Sequence, residues 1–547
     1  MKKLFMFFVA ASITGTILAG GLVTNTNQSA LYTRLQSRNA STGMDAVYYN
    51  PAGLTKLSDG FFFSVSNQTV GQSRTITSNY PYLSGEKPRE FAGTVSAPLF
   101  PSVYAGYKTG KFAFAAAFNP IGGGGGATYE KGLPSFEMMV ADIPPGLTAQ
   151  GFPTTQYSAD IFFQGSSTYF GYQFSAAYEV NDYISIGAGI RLVTAKNVYQ
   201  GHLRNISINP NYPAFGSAFD GTMVLASNFF TAGATALGTL AGGATAYFSG
   251  LQPIIDGGFG ATLLTDGAGV GLTPTDIATI QQIMGAAGQT PAQIGAATIG
   301  YAQAVLGASA PVFSAGSAAF AANAASSQDI EVDAEQTGRG YTPMIGVNFS
   351  FSDNLNVSFK YEFQTKLELT TTLIDNKGGG IFTEGTKTIA DMPAMLATGF
   401  EYKPIDNLLL TGSLNLYFDN KVDYDGSADL DINMIEKNFK ELAFGAQYAV
   451  NDKLRASAGW LGTYSGVNSN YINDQRYSAN TNTFGGGVGY RITDLIDLNI
   501  GASYTVYDLA EKQYNNFLGG VVPVPILETY DKATWIVAVG LDFYFGK

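Results

Sequence analysis

Few residues in this sequence could perform catalysis. The chain holds one histidine, His202, and no cysteine, which excludes thiol catalysis, thiolate metal sites and disulfide bonds. Hydrolytic sites usually rely on a histidine as general base. His202 lies just beyond a strand pattern, where an exposed histidine is expected. No Asp-x-Asn-x-Asp-Gly spacing indicates a calcium loop. We therefore expect no enzyme, no cofactor and no metal site.

Charged residues that alternate with apolar residues are candidates for binding rather than for catalysis. Such cations lie on the polar faces of strand patterns at Arg191, Lys360, Arg455 and Arg491. The acidic residues that could pair with them are Glu362, Glu401, Asp497 and Asp542. A carboxylate ligand in a dry pocket needs a cation or several donors, because an unpaired buried charge is costly. These cations therefore either bind such a ligand or pair with the acids as structural struts.

The composition is that of a membrane protein without membrane helices. Charged residues make up 13% of the chain, roughly half the average of soluble domains, and aromatic residues also reach 13%. Residues 1–20 resemble an export signal peptide, since Lys2 and Lys3 precede an apolar stretch and small residues follow at 19–21. No later run is apolar over the ~18 residues that a transmembrane helix needs. The net charge of −12 fits acidic loops and argues against a nucleic-acid partner.

Alternation of apolar and polar residues organises the rest of the chain. At 355–364 the apolar residues fall on odd positions and the polar residues on even positions, and 184–192 and 535–545 repeat the alternation. A period of two predicts strands with one apolar and one polar face. Together with the low charge content, this pattern predicts an all-β transmembrane barrel.

The breaks between these strands alternate between short and long. Short turns fall near 110, 182, 353, 406, 452 and 494, and long breaks fall at about 79–101, 120–167, 200–339, 373–390, 426–436, 466–481 and 509–532. Short periplasmic turns and long external loops are typical of outer-membrane barrels. The pattern predicts 14 antiparallel strands within 60–547, starting near 61, 102, 111, 168, 183, 341, 354, 392, 408, 438, 453, 483, 495 and 533. A soluble sandwich or propeller, the alternative, does not predict this alternation.

The break at 200–339 is too long for an ordinary loop. Thr273 and Thr290 each precede a proline that suits the first helical position, and an acceptor side chain follows three residues after each threonine. Apolar residues then recur at helical spacing, the second set extending from Ile294 to Tyr301 and Val305. We predict an external loop that contains two short amphipathic helices.

Residues 21–59 lie between the predicted signal and the first strand and show no alternation. They are too apolar for a loose tail, as Leu31, Leu35, Val47 and Leu54 illustrate. A barrel of about 14 strands has a lumen that wall side chains alone do not fill. We therefore predict that 21–59 folds into the lumen as a plug, or hatch. The alternative is a disordered periplasmic extension.

Two stretches of this segment resemble the FadL/TodX family of outer-membrane transporters for long-chain fatty acids and aromatic hydrocarbons. They are 37–43 (SRNASTG) and 49–54 (YNPAGL), and the second contains the Asn-Pro-Ala signature that ends the family's hatch. Weaker similarity occurs at 361–367 (YEFQTKL) and at Met392-Pro393. The resemblance covers the whole mature chain in architecture, although the loop at 200–339 is longer than the family usually needs.

This resemblance implies passive uptake of hydrophobic molecules across the outer membrane of a Gram-negative bacterium. External loops would capture the ligand, the hatch and wall would hold it, and a gap near a kinked third strand would release it laterally. The candidate ligand-binding residues are Leu31, Tyr32, Leu35, Arg38, Tyr48, Asn50, Pro51, Arg191, Lys360, Arg455 and Arg491. The candidate lateral gate is Phe118, Asn119, Pro120 and Gly122, at the end of a third strand predicted at about 111–119. Proline removes a ladder hydrogen bond and glycine often marks a bend.

The partners expected from this reading are hydrophobic small molecules, outer-membrane lipids and the barrel-assembly machinery, and a monomer is expected. A second hypothesis is a surface or adhesin-like protein that uses the large loop as a platform on a closed barrel. An outer-membrane enzyme is the third.

Overall fold

The computed structural model describes residues 25–422, 434–518 and 520–546. The predicted signal peptide and residues 21–24 of the predicted hatch lie outside the described residues. The long strands are β1 (Gly60–Ser78), β2 (Arg89–Thr109), β3 (Phe112–Tyr129), β4 (Tyr157–Asn181), β5 (Ile184–Ile208), β6 (Ile330–Ser352), β7 (Leu355–Glu362, continued by Glu368–Gly378), β8 (Lys387–Ile389, continued by Met395–Ile405), β9 (Leu408–Tyr417), β10 (Lys440–Ala449), β11 (Leu454–Tyr464), β12 (Thr481–Thr493), β13 (Ile496–Tyr507, continued by Ala510–Leu518) and β14 (Val522–Gly546).

These strands form one closed antiparallel barrel. Each strand pairs with its neighbours in the chain, and β1 pairs with β14 from Gly60↔Gly546 to Ser78↔Glu528. The predicted 14-stranded antiparallel barrel is therefore confirmed. Closure leaves no unpaired sheet edge, which a barrel in hydrocarbon requires.

Alternation gives the wall its two faces. On β14 the side chains of Trp535, Val537 and Val539 are 46–50% exposed, whereas Ala538 between them is 1% exposed. The outward residues therefore form an apolar band, and a strand needs about 9–11 residues to cross the hydrocarbon. Beyond Trp535 the outward position is the charged Asp531, so the band ends near that tryptophan.

Several strands are longer than the alternation predicts. The predicted starts near 102, 168, 341 and 533 are wrong, because these strands begin at Arg89, Tyr157, Ile330 and Val522. The third strand also continues to Tyr129 instead of ending near 119. The added residues extend the hydrogen-bonded ladder past the apolar band. There the inner face carries the buried apolar residues, such as Phe91, Val95, Ile526 and Tyr530, and the outer face is exposed. The apolar-outside pattern of the membrane band therefore ends while the backbone pairing continues.

The hatch is built from short helices with identifiable caps. It contains α1 (Ala30–Arg34), α2 (Ala46–Tyr49) and a 3-10 helix (Pro51–Lys56). Ser29 caps α1 by accepting the Tyr32 N–H at 3.1 Å. Asn50 caps the 3-10 helix, whose first position is a proline that needs no amide partner. Hatch side chains are buried against the inner wall, including Leu35 at 0% exposure.

The external loops carry the remaining helices. Between β3 and β4 lie α3 (Pro134–Ala141) and α4 (Ile143–Ala149), and between β5 and β6 lie α5 (Ala226–Ile254), α6 (Pro274–Ala286), α7 (Pro291–Gly295) and α8 (Ile299–Ser326). Shorter elements are 3-10 turns at Pro213–Phe215, Leu264–Val270, Asp419–Lys421 and Ser469–Tyr471, a π turn at Ile255–Phe259 and a two-residue strand at Val224–Leu225 that pairs with β5.

The large loop folds as a helical arm. The two predicted helix starts are correct, since Thr273 and Thr290 form capping boxes. The prediction that the second helix extends through Tyr301 to Val305 is wrong, because α7 ends at Gly295 and a separate helix, α8, begins at Ile299. The long helices α5 and α8 were not predicted. They pack antiparallel, and their alanine- and glycine-rich faces carry little hydrophobic periodicity. By length and composition α8 could span a membrane, and it packs mainly against α5.

Candidate ligand-binding site

A group of tyrosines forms the centre of the hatch. The rings of Tyr32 and Tyr49 stack with centroids 5.7 Å apart, and Tyr48 meets Tyr49 edge-on at 5.1 Å. Of the predicted hatch residues, Tyr32 also faces the cavity described below. Leu35 and Tyr48 are buried in packing, and Leu31 is half-buried beside a void of about 30 Å³.

The SRNASTG stretch attaches the hatch to the wall. Arg38 forms ion pairs with Asp45 at 2.7 Å and with Glu401 on β8 at 3.2 Å. The Asn39 amide donates to the Thr398 carbonyl at 3.0 Å. Arg38 is therefore held by acids of the chain itself, and its place in the fold is that of an anchor.

The Asn-Pro pair forms a second attachment. The Asn50 amide donates to the Val347 carbonyl on β6 at 3.0 Å, while its oxygen accepts the Ala52 N–H at 3.2 Å. Pro51 is buried at the start of the 3-10 helix. Near the end of that helix, Lys56 pairs with Glu179 at 2.9 Å.

Two of the predicted lumen cations share one acid. The Arg191 guanidinium lies 2.8 Å from one carboxylate oxygen of Glu362, and the Lys360 ammonium lies 2.6 Å from the other. The Arg191 guanidinium lies 4.8 Å from the ring centroid of Tyr48, and the Lys360 ammonium donates to the Tyr48 carbonyl at 2.9 Å. The structure thus brings Arg191, Lys360 and Tyr48 together as one buried cluster at the hatch.

The other two predicted cations share a different acid. Arg455 lies 2.7 Å and Arg491 3.6 Å from carboxylate oxygens of Asp497. The side chain of Arg491 is 47% exposed, and both arginines lie at the ends of β11 and β12 near the short turns. They are therefore separated from the cavity above the hatch.

A cavity of about 540 Å³ lies between the hatch and the external loops. Its floor includes Asn27, Tyr32 and Gln36 of the hatch, and its cover includes residues 474–479 of the loop between β11 and β12. The wall contributes aromatic, apolar and hydroxyl side chains. The volume falls within the ~300–1,000 Å³ typical of small-molecule sites.

Two of the cations that line this cavity form no ion pair with an acid among the residues that the structure describes. Arg74 on β1 and Lys532 on β14 are cross-strand partners at the seam that closes the barrel. Arg74 donates to the Gln72 side chain at 2.5 Å, and Lys532 donates to the Tyr477 carbonyl at 3.0 Å. Among the described residues, neither forms an ion pair. Sequence reasoning missed both, although Arg74 shares the inward parity of Gln72.

Further polar groups in the cavity lack a partner in the part of the chain that the structure describes. The Gln68 Oε1 and Ser503 Oγ atoms are buried and have no hydrogen-bond partner among the described residues. Both residues line the cavity. An amphiphilic ligand with a polar end fits this lining better than a purely apolar one, because buried polar groups without partners are costly.

The barrel wall is interrupted beside the cavity. The pairing of β2 with β3 ends at Val103↔Phe118 and resumes at Val95↔Ala127. The stretch of β3 between these pairs, 119–126, has no ladder partner on β2 in the described strands. Backbone groups in the hydrocarbon must otherwise be paired, so this opening is a marked departure from the rest of the wall.

The predicted gate residues lie at this opening, within β3 and not after it. Phe118 points outward and stacks on Phe170 with ring centroids 5.5 Å apart. Asn119 points inward, is 0% exposed and donates to the side-chain oxygen of Gln28 on the hatch at 2.6 Å. Pro120 and Gly122 line the cavity, as do Leu99 and Phe100 across the opening on β2. The prediction that the strand ends here is wrong, because β4 continues to pair with β3.

External loops close the mouth above the cavity. Asp474 accepts the Ser135 N–H at 2.8 Å, and Lys512 donates to the Ile472 carbonyl at 2.6 Å. Glu528 accepts the Tyr514 hydroxyl at 3.0 Å and the Tyr530 hydroxyl at 2.5 Å. Burial, together with the nearby charge of Asp474, raises the pKa of Glu528 to about 7. The mouth therefore contains a carboxyl group that titrates near neutral pH.

No family model and no curated protein matches the sequence. Solved structures do match the fold. A FadL homologue from Pseudomonas aeruginosa has a TM-score of 0.55 at 13% identity, covering 96% of this chain and 100% of that chain. The toluene transporter TodX of P. putida has a TM-score of 0.48 at 12% identity, and the match covers 93% of this chain and 95% of that chain. The toluene transporter TbuX of Ralstonia pickettii has a TM-score of 0.44 at 16% identity, and the match covers 92% of this chain and 94% of that chain.

At such low identity, the similarity to the FadL homologue bears on the fold alone. It extends over the N-terminal hatch as well as the barrel, because it covers 96% of this chain. The resemblance predicted from 37–43 and 49–54 is confirmed at that level: this chain has the fold of a FadL homologue, a 14-stranded barrel with an N-terminal hatch.

Proposed function

We propose that this protein is a passive outer-membrane channel for hydrophobic compounds that carry an anionic group, with long-chain fatty acids as the substrate class. Outer-membrane lipids and the barrel-assembly machinery are then its partners, and it acts as a monomer. The observation that carries the proposal is the cavity above the hatch, which has a mixed apolar and hydroxyl lining and in which Arg74 and Lys532 form no ion pair with any described residue.

The electrostatics of the cavity support an anionic ligand. A cation beside apolar surface gains most from a carboxylate, which accepts charge-assisted hydrogen bonds. The carboxylates that line the cavity are engaged elsewhere: Glu441 accepts from Asn415 and Tyr417, and Asp474 accepts from Ser135. Arg74 and Lys532 are therefore available to an incoming head group.

The opening between β2 and β3 supports lateral release. An alkyl chain that left through the hatch would enter the aqueous periplasm and re-expose apolar surface, at a cost of about 25 cal/mol per Å². Leu99 at the opening is 77% exposed and faces outward, so the exit from the cavity is lined by apolar side chains. We propose that the ligand leaves the cavity here and enters the membrane.

Uptake of labelled oleate by cells that express the protein tests the substrate class. Replacing both cations, Arg74→Gln with Lys532→Gln, should lower oleate uptake roughly 10- to 100-fold, as expected for losing about 1.5–3 kcal/mol of charge-assisted bonding. Lys196→Gln is the matched control, because Lys196 is 53% exposed and pairs with Glu335 away from the cavity. Unchanged oleate uptake in the double variant would move the substrate class to neutral hydrophobic compounds.

A surface or adhesin-like role is the second candidate, and the helical arm favours it. Residues 226–326 contain three aspartates and no lysine or arginine, and α5 and α8 contact mainly each other. A variant that lacks 226–326 separates the two roles. Oleate uptake by this variant at the wild-type rate would assign the arm to surface interactions, and loss of uptake in a correctly assembled barrel would assign it to ligand capture.

A further inference from the structure

The inner wall carries glycines where the hatch backbone comes closest. A Cβ atom on Gly459 would lie 2.8 Å from the backbone nitrogen of Gln36, and one on Gly501 would lie 2.7 Å from that of Arg34. Real Cβ atoms do not approach other heavy atoms this closely, and a backbone nitrogen cannot swing aside as the end of a side chain can. Glycine at these positions is therefore what allows the hatch to seat against the wall.

Glycines that face hatch atoms, whether backbone or side chain, recur on most strands from β5 to β14, and we call them the glycine belt. They face hatch atoms from β5, β6, β8 and β10 to β14, and they are Gly187, Gly346, Gly399, Gly445, Gly459, Gly485, Gly487, Gly501 and Gly540. On β7 and β9 serines replace them. The Ser358 hydroxyl donates to the Asn39 carbonyl at 2.6 Å, and the Ser413 hydroxyl accepts the Asn39 N–H at 3.1 Å. Every strand from β5 to β14 thus contributes a small residue to the wall surface on which the hatch packs.

Hydrogen bonds fix the hatch in this seat. Arg34 is 1% exposed, and its guanidinium donates to Asn499 at 2.9 Å and to Gln447 at 2.7 Å. Sliding or rotating the hatch along the belt would break these bonds. It would also drive the hatch backbone into neighbouring wall residues that carry a Cβ atom.

The wall from β1 to β4 meets the hatch in a different way. The facing positions carry side chains, such as Tyr104 on β2 and Ala115 and Ala117 on β3. Contact is made by side-chain ends: the Tyr104 hydroxyl donates to the Gln28 carbonyl at 3.0 Å, and Asn119 donates to the Gln28 side chain at 2.6 Å. These contacts can break without displacing the hatch backbone from the wall of β5 to β14.

We propose that the belt glycines are positioning residues that keep the hatch seated on β5 to β14 throughout transport, so that ligand movement takes place along the face of β1 to β4. This inference rests on the proposed channel function. It also assigns the rearrangement that transport requires to the contacts around Gln28 and Asn119, next to the opening in the wall.

Cysteine pairs test the inference directly, because the described chain has no free cysteine. On the belt side, Ser37→Cys with Ser413→Cys replaces two hydroxyl oxygens that lie 2.7 Å apart. On the other side, Gln28→Cys with Asn119→Cys replaces side chains in contact at 2.6 Å. Both pairs are joined by the same short bifunctional thiol reagent, and oleate uptake is compared before and after reductive release. Crosslinking on the belt side should leave uptake unchanged, and crosslinking on the β3 side should abolish it.

The outcomes separate this inference from the function on which it rests. Loss of uptake on crosslinking the belt side would overturn the inference, and so would unchanged uptake on crosslinking the β3 side. If the unmodified protein takes up neither oleate nor a neutral hydrophobic compound, the channel function itself fails.

Substitution within the belt gives a second readout that does not depend on transport. Gly501→Leu projects into the hatch, where a Cβ atom would lie 2.7 Å from the backbone nitrogen of Arg34 and 3.1 Å from its Cβ. Gly486→Leu on the neighbouring strand β12 is the control, since a Cβ there meets only the Ser457 carbonyl oxygen at 3.2 Å. In planar bilayers, Gly501→Leu should conduct ions, while Gly486→Leu should conduct as poorly as the wild type. Equal conductance of the two assembled variants would overturn the seating role.

Discussion

The hatch layer and the cavity above it each contain two neighbouring cations whose partners differ. Arg191 and Lys360 in the hatch layer share the carboxylate of Glu362. Arg74 and Lys532 in the cavity have no ion pair within the described residues. The comparison separates cations that hold the fold together from cations that are available to a ligand.

The first prediction sharpens the structural side of this comparison. Glu362→Gln removes the acid that compensates two buried cations, and breaking a buried ion pair in this way costs about 3–5 kcal/mol. The variant should unfold at markedly lower temperature than the wild type, measured by heat-dependent mobility on gels. Arg74→Gln should leave the unfolding temperature nearly unchanged. Equal stability of Glu362→Gln and wild type would mean that the cluster is not a strut.

The second prediction concerns the hatch layer as a barrier to ions. Deleting 25–53 removes the segment that occupies the lumen, and the wall side chains of a barrel this size do not fill the space alone. The truncated protein should conduct ions as an open pore in planar bilayers, whereas the full-length protein should conduct poorly. Similar conductance of the two forms would show that the hatch does not close the barrel.

The third prediction addresses the opening that joins the cavity to the membrane. Gly122 lines the cavity at the opening, so Gly122→Trp should fill the exit and reduce oleate uptake without impairing assembly. Ala116→Trp is the control on the same strand, because Ala116 lies outside the opening, where β3 still pairs with β2 at Ala105↔Ala116. Normal uptake by an assembled Gly122→Trp protein would exclude this exit.

Much of the barrel could be predicted from the sequence, because a membrane wall must alternate apolar and polar residues. The outer extensions of the strands could not be predicted in this way. At 89–101 and 522–532 the apolar residues face the inside of the barrel and the outer face meets water, so the outward apolar pattern no longer marks the strand. The long helices α5 and α8 were missed for a related reason, since small residues on all sides leave no periodic signal.

Only part of the candidate site could be predicted from the sequence. Arg74 lies in the predicted first strand, with the inward parity of Gln68 and Gln72. Lys532 lies in a stretch that the pattern assigned to the loop at 509–532. The two meet only through the register of the seam between β1 and β14, and no local property of either segment encodes that register. The four predicted lumen cations were visible on clear alternating faces, but the sequence could not reveal which acids compensate them.

The smallest expected effect concerns the loops and strand ends that close the mouth above the cavity. Because the pKa of buried Glu528 is raised from 4.5 to about 7, its protonated form favours the packed mouth. That stabilisation is fully present below pH 4.5 and is lost as the pH rises through about 7. Hydrogen exchange at 510–530, corrected for intrinsic rates, should be slower well below pH 7 than well above it. Glu528→Gln should remove most of this difference, and an unchanged pH dependence in that variant would point to another group.

The central claim is that Arg74 and Lys532 recognise an anionic head group. Its most direct test is a comparison of oleate with oleyl alcohol, which share one alkyl chain, for binding to the purified protein above the pKa of the acid. The wild type should bind oleate roughly 10- to 100-fold more tightly than the alcohol, and the Arg74→Gln/Lys532→Gln protein should bind the two equally. Equal binding of both compounds by the wild type, or an unchanged preference in the double variant, would contradict the claim.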